Sequence, residues 1–528
     1  MEILLLGLVF SSSLLIIMYC FHALWLRPQW ARLKLRSQGI RGPTPSFLYG
    51  NLPEMQRIQA SSAAAARKST GAANRAGEFV AHDYTSTVFP YFEIWRKQYG
   101  SIYTYTTGNR QHLYVNRPEM LKEMNQTITW DFGKPSYLTK RLAPILGQGI
   151  LRSNGHSWSH QRKIIAPQFF MDKVKGMVGL MVESGGSLIR EWEACIQAQG
   201  GVTADIMVDE HLRSLSADVI FRACFGGSSS SSNRKQIFTK LRLLQKAISS
   251  QSFLFGNRLL IPSKRQKEIK ELEKEIESLI WEVITDREKE LCMAGSNTAS
   301  KSNLLFSIME GAGAATEENS RISKKFIIDN FKNMFLAGHE STAVAASWCL
   351  MLLALNPDWQ TRVREETARV CPDGVIDASS LPKMKTVTMV IQETLRLYPP
   401  AAFVSREALE EIQFGAVTVP KGVCVWTLIP MLHRDTEVWG SDAGEFKPER
   451  FANGLAAACK VPHGYIPFGM GQRLCLGQNF AMVQLKIVLS LIISKFSIAL
   501  SPKYIHSPAY RMIVEPGNGV HIILHRCS

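Results

Sequence analysis

The chain contains no C-x-x-C pair. Its ten cysteines, at positions 20, 195, 224, 292, 349, 371, 424, 459, 475 and 527, are irregularly spaced. In 528 residues this is not a disulfide framework. It predicts mostly inert buried thiols in a reducing, cytosol-facing setting. No G-x-G-x-x-G unit for a flavin or nicotinamide occurs, and no internal repeat. His339-Glu340 lacks the second histidine of a zinc-protease helix, because Ala343 stands there. Acid is scarce: 45 Asp and Glu against 61 Lys and Arg leave a net charge of +16. The basic residues are spread out, with no basic–aromatic cluster, which argues against nucleic acid. Diffuse basicity suits an anionic membrane surface or an acidic protein partner. A hydrophobic content of 46% permits a large core.

Long uncharged runs are also scarce. One is present, ILLLGLVFSSSLLIIMYCFHALWL (Ile3–Leu26), without Asp, Glu, Lys or Arg. As a helix it spans roughly 36 Å, enough for a hydrocarbon core of about 30 Å. Arg27, Arg32, Lys34, Arg36 and Arg41 follow, which places the rest in the cytosol. The run is too long for a signal peptide, and no small-residue cleavage site follows. The expectation is a retained single-pass anchor over 1–26, a basic, proline-containing hinge over 27–50 (Pro43, Pro45), and one domain over 51–528.

The body reads as mainly helical with small sheets. Helices are expected over Lys264–Leu291, Phe326–Leu355, Pro357–Val370, Thr386–Leu397 and Asn479–Phe496. A small hairpin is expected over Gly415–Val425, and strands in Met512–Leu524. Gly226–Asn233, Ala294–Asn303 and Glu310–Ser320 read as solvated loops. The apolar patch Phe253–Ile261 reads as core packing, with a membrane-facing entrance as the functional option.

Inside the long apolar helix stands a polar knot, AGHEST (Ala337–Thr342). Glycine weakens a helix, and a buried carboxylate is costly unless paired. Further on, PFGMGQRLCLGQNFA (Pro467–Ala481) places Cys475 in a loop with Gly469, Gly471 and Gly477, just before an apolar helix. A thiolate is favoured at a helix N-terminus, and the glycines let backbone approach a flat ligand. Arg473 could meet a carboxylate beside that ligand. No second zinc ligand lies nearby. A lone thiolate in a Gly/Arg loop suits an axial haem ligand.

The stretch Phe468–Gly477 matches F-x-x-G-x-R-x-C-x-G and resembles the haem-binding loop of the cytochromes P450. Other segments resemble the same family. Glu393-Thr-Leu-Arg396 matches E-x-x-R, and FKPERF (Phe446–Phe451) supplies Arg450, so the resemblance implies a buried Glu393–Arg396–Arg450 triad. HSWSHQRK (His156–Lys163) matches W-x-x-x-R. PPAAFVSREA (Pro399–Ala408) follows the E-x-x-R helix. The resemblance covers roughly residues 40–525. It implies a mainly α (α+β) body holding haem b on Cys475, with Trp158, Arg162 and Arg406 toward the propionates. Ala337, Gly338, Ala402, Phe403 and Val404 would line the substrate pocket. AGHEST resembles A-G-x-[DE]-T-[TS]: Gly338 would open a groove for oxygen, Glu340 would feed protons, and Ser341 or Thr342 would supply a hydroxyl. Ser341 departs from the usual threonine.

The implied activity is monooxygenation using O2 and electrons from a separate NADPH–cytochrome P450 reductase. Arg162, Lys163, Lys447 and Lys460 are candidates for the docking face. The implied place is the endoplasmic reticulum membrane. The flanks Leu35–Gln59, Phe335–Gln360 and His433–Phe451 resemble plant non-A-type members, most of all the branch with gibberellin and ent-kaurane-acid oxidases. Triterpenoid oxidation is the close alternative. An oxygen-independent thiolate-haem isomerase or dehydratase is more remote, since such enzymes tend to lose the acid–alcohol pair.

Overall fold

Segments apolar on all sides need company on all sides, and the longest helix shows it. Glu317–Leu355 runs 39 residues, roughly 58 Å, through the middle of the main core. It stops at Asn356, which precedes Pro357. Its start lies nine residues before the expected Phe326, because adding a turn to a helix that is already nucleated costs little. The helix packs along Val208–Phe225 and against Gln478–Lys495. The computed structural model describes residues 2–70, 82–126, 130–226, 231–249, 264–293, 304–311, 317–461 and 463–527. The Phe253–Ile261 patch and much of the three expected loops lie outside the described residues.

Helices Lys264–Met293, Pro357–Val370 and Lys385–Leu397 agree with expectation within two residues. A five-stranded sheet has the spatial order Ile102–Thr107, Arg110–Val115, Cys424–Leu428, Phe403–Ala408, Phe132–Gly133. Only the pairing of Arg110–Val115 with Cys424–Leu428 is parallel in it. Phe496–Leu500 and Thr203–Met207 flank His521–Arg526 in a second sheet. Phe496 therefore belongs to a strand, not to the helix before it.

The expected Gly415–Val425 hairpin is shifted. Ile412–Phe414 pairs with Val417–Val419 around Gly415 at φ +62°. A two-residue turn favours such positive φ. Cys424–Leu428, buried throughout, joins the main sheet instead, where it finds strands on both sides.

At the N-terminus, Glu2–Phe21, a π-turn at His22–Leu26 and Arg27–Arg36 form one helical run. The large apolar side chains from Leu8 to Phe21 are exposed, and Gly7–Arg36 is long and apolar enough to cross a membrane. The expected hinge over 27–50 is fastened to the body. Ala31 and Leu35 enter the smaller core, Gln38 exchanges hydrogen bonds with the Thr418 backbone (3.0 and 2.7 Å), and Lys34 pairs with Glu411. Amphipathic spacing in 27–36 lets the helix bury one side, an outcome the prolines further on do not reveal.

The triad forms and is fully buried around Glu393. Arg396 grips this carboxylate at 2.7 and 2.8 Å, and Arg450 reaches it at 3.4 Å. The remaining Arg396 donors go to the carbonyls of His433, Ala443 and Glu445 (2.8, 2.5 and 2.8 Å), and Lys447 N–H to Glu393 (2.7 Å). The network ties the Lys385–Leu397 helix to the chain leading to Cys475. Replacing Glu393 by Leu strands the buried Arg396 guanidinium, while Arg450 keeps Asp442 at 2.8 Å. The expected loss is about 3–5 kcal/mol, read as a large fall in Tm and in yield of folded protein. A loss under about 1 kcal/mol, the level of a surface pair, would contradict the buried-network account.

Candidate active site

The Cys475 loop is wound by its own backbone. Gly469 N–H donates to Ile466 (3.0 Å), Leu474 N–H to Gly471 (2.9 Å) and Cys475 N–H to Phe468 (3.0 Å). Gly469 and Gly471 take φ of +75° and +68°, which explains glycine at both. The Cys475 side chain is exposed, yet it is surrounded by protein: burial pushes its thiol pKa up, opposed by the Gly477 N–H and by Arg162. A thiol with one open side and protein on the others suits a donor atom facing a large flat ligand. Cys224, Cys349, Cys371 and Cys424 are buried in the ordinary inert manner.

The structure brings Trp158, Arg162, Arg406 and Arg473 together. Arg473 lies over the buried Trp158 ring at 4.5 Å and donates to Ser153 O (3.1 Å) and Asn154 Oδ1 (2.7 Å). Arg162 lies 5.6 Å from the same ring and donates to Leu474 O (3.1 Å). Arg406 is buried and donates to its neighbouring Ser405 O (2.9 Å). A fifth member, Lys134, was not foreseen. Its N–H donates to Asn154 Oδ1 at 2.8 Å.

Burial pushes Arg406 down to about 10 and Arg473 to about 9, the latter also by Arg406 and Arg162. Lys134 falls to about 7 through burial first, then Arg406 and Arg473. None of these four cations has a carboxylate partner among the described residues. Desolvated like charges are costly without a counter-ion. A dianionic ligand beside Cys475 resolves that cost, so the donor set fits a haem carrying two propionates.

The long helix presents two different faces. Ala337 is exposed, and Gly338 and Ser341 are partly so. Ser341 Oγ donates to Ala337 O at 2.6 Å. Thr342 and Glu340 are buried. Glu340 accepts from Arg213 Nε at 3.3 Å, and Arg213 also pairs with Glu515 at 3.1 Å. His339 stands 3.5 Å from Glu340, with its pKa lowered to about 3 by burial, then Arg213, so it is neutral. Arg213 and Glu515 were not legible in the sequence; each lies over a hundred residues from Glu340.

Two expectations change. A Cβ on Gly338 would meet Ile220 side-chain carbons at 2.8 Å. The glycine therefore admits the Val208–Phe225 helix rather than opening a groove. Thr342 points into the core, which leaves Ser341 as the accessible hydroxyl. The pocket candidates also separate. Ala402 is buried in the main core. Phe403 and Val404 alternate across their strand: Phe403 packs among aromatic rings, Val404 in the smaller core with Leu113, Phe132 and Val425.

Because Lys134 sits near 7 before an anion arrives, haem binding must take up a proton above that pH. Apparent haem affinity is expected to fall by up to about ten-fold per pH unit above pH 7, measured as haem transfer to a scavenger. Lys134→Met should flatten that slope. An unchanged slope in the variant would remove Lys134 from the cation group.

Comparison with known proteins agrees with this chemistry. The family model Cytochrome P450 matches residues 77–519. Cytochrome P450 714A2 of Arabidopsis thaliana is 51% identical over 504 residues, covering 94% of this chain and 93% of that protein. Cytochrome P450 714C2 of Oryza sativa subsp. japonica is 48% identical over 517 residues (97% and 96% coverage), and Cytochrome P450 714B2 of the same plant 47% over 521 residues (96% and 94%). With similarity running through nearly the whole of each chain, the protein belongs to the cytochrome P450 family of haem-thiolate monooxygenases and, within it, to the plant 714 group.

Proposed function

We propose that this enzyme inserts one oxygen atom from O2 into a gibberellin or a related ent-kaurane diterpenoid acid, with electrons from a separate NADPH–cytochrome P450 reductase. The observation carrying the substrate class is the full-length similarity to the 714 group, joined to the resemblance of the flanking segments to the gibberellin branch. The surroundings of Phe403 support it. Phe89, Phe92, Trp426 and Tyr510 stand 5.2, 5.7, 5.0 and 5.6 Å from its ring, centroid to centroid. Flat apolar walls of this kind suit a polycyclic skeleton.

Cys475 would hold haem b through its thiolate, and the haem would supply the oxygen-activating iron. The protein's own groups do the rest. The Gly477 N–H and Arg162 favour the thiolate form of Cys475. Arg162, Arg406, Arg473 and Lys134 balance the propionates. Ser341 offers a hydroxyl on the accessible face of the long helix. Glu340 holds a proton-exchanging carboxyl one residue away, tied to Arg213. For the reductase, Lys163 and Lys460 are exposed, whereas Lys447 is engaged with Asp442 and Glu445 (3.0 Å each) and Arg162 with the Cys loop. The apolar N-terminal helix and its basic flank support a body at the cytosolic face of the endoplasmic reticulum membrane.

Ser341→Ala is expected to lower product formed per NADPH consumed by about ten-fold or more, and Thr342→Ala to leave that ratio near wild type. The reverse order would assign the hydroxyl to Thr342. Turnover of gibberellins, ent-kaurane acids and triterpenoids with reductase, read by mass spectrometry, is expected to give oxygenated diterpenoid. Triterpenoid products alone would overturn the substrate assignment.

A further inference from the structure

The Phe326–Leu336 stretch, apolar in outline, carries four side chains buried with no exposure at all: Asp329, Asn330, Lys332 and Asn333. All four turn to one short segment, residues 144–151. Asp329 Oδ2 accepts from Gln148 N–H at 2.7 Å, Asn330 Oδ1 from Ile150 N–H at 3.1 Å, and Asn333 Oδ1 from Leu151 N–H at 2.8 Å. In return Asn333 Nδ2 donates to Leu146 O (2.8 Å), and Lys332 Nζ to Pro144 O (3.3 Å). Lys332 lies 3.3 Å from Asp329 and 3.1 Å from Glu277, which compensates the buried carboxylate. The segment is shaped for the grip. A Cβ on Gly147 would fall 1.9 Å from Asp329 Oδ1, and one on Gly149 2.6 Å from Asn333 Nδ2.

The gripped loop leads straight to the cofactor side. Gln148 O accepts from Gln161 at 3.0 Å, on the helix that bears Trp158 and Arg162. Ser153 O and Asn154 Oδ1, two and three residues past Leu151, hold Arg473, which is two residues from Cys475. At the other end, Asn333, Ala337 and Ser341 follow at four-residue steps on one stripe of a single rigid helix.

We infer that Asp329, Asn330 and Asn333 are positioning residues: they set the register between the helix carrying Ser341 and the cations and loop that hold the haem beside Cys475. The proposal rests on the haem-binding reading of that loop. None of the three touches the reacting atoms. They act through the backbone of residues 148–151.

The test uses the haem-loaded full chain and compares two buried amides that both clamp backbone. Asn333→Leu removes the clamp studied. Gln360→Leu removes an equally buried one elsewhere, which bonds Leu353 O (2.8 Å) and Ile498 O and N–H (2.7 and 3.0 Å). Both should lower Tm. Asn333→Leu is expected to release haem to a scavenging apoprotein about ten-fold faster than wild type, as for groups that orient a ligand set. Gln360→Leu should stay within about two-fold, as for a distant independent site. Asn330→Ala, which loses the bonds to Ile150 N–H and Phe326 O, should speed release about five-fold. Should Asn333→Leu fail to fold, the Asn330→Ala and Gln360→Leu pair carries the comparison. Equal release from the Asn and Gln variants at matched loss of Tm overturns the positioning role. Wild-type chain that binds no haem would instead overturn the cofactor reading itself.

Discussion

Four positive side chains packed together, one buried and three half-buried, with no carboxylate partner among the described residues, are the constraint around which the site is organised. Arg162, Arg406, Arg473 and Lys134 come from four separate parts of the chain and converge near Trp158 and Cys475. Burial lowers the proton affinity of all four, and like charges add to it at two: Arg406 and Arg473 at Lys134, Arg406 and Arg162 at Arg473. Such a group is worth keeping only if an anion arrives from outside. The cluster therefore favours an anionic ligand, and the two propionates of a haem have the sign that these side chains would hold.

The Glu393 network solves the same problem the opposite way. There the anion is supplied internally, and every donor of Arg396 finds an acceptor. One network closes on itself and fixes the path of the chain toward the thiolate. The other stays open and waits for a ligand. Both bury arginine; only the closed one serves the fold alone.

The long helix connects these parts by being two-sided at several levels. Its Asp329–Asn333 turn grips the loop before the cofactor-holding helix. One turn further, Ala337 and Ser341 face the accessible side, while Glu340 and Thr342 face inward. Glu340 meets Arg213 and Glu515 there, so the polar knot in the apolar helix is a junction of three chain segments. Gly338 is explained by Ile220 pressing against it, a close approach between helices that no Cβ would permit.

The motif around Cys475 was legible in the sequence because its chemistry is local: glycines at positive φ, a thiol before a helix, an arginine two residues away. The E-x-x-R pair was legible for the same reason, since i,i+3 spacing alone makes the contact. The long apolar N-terminal helix was legible from composition, because its uncharged run has the length and hydropathy of a membrane-crossing helix. What stayed hidden depends on long-range packing. Lys134 joins the cations only because Asn154 bridges two loops. Val404 enters the smaller core, and Thr342 is buried while Ser341 stays partly exposed, because which side of an element is covered is set by its neighbours. The basic segment after the anchor reads as a hinge until its Ala31 and Leu35 are seen in a core. Sequence by itself determined the chemistry carried at each position, since residue type and short spacing decide that. The tertiary structure alone decided which groups meet, because burial and charge compensation are properties of the assembled chain.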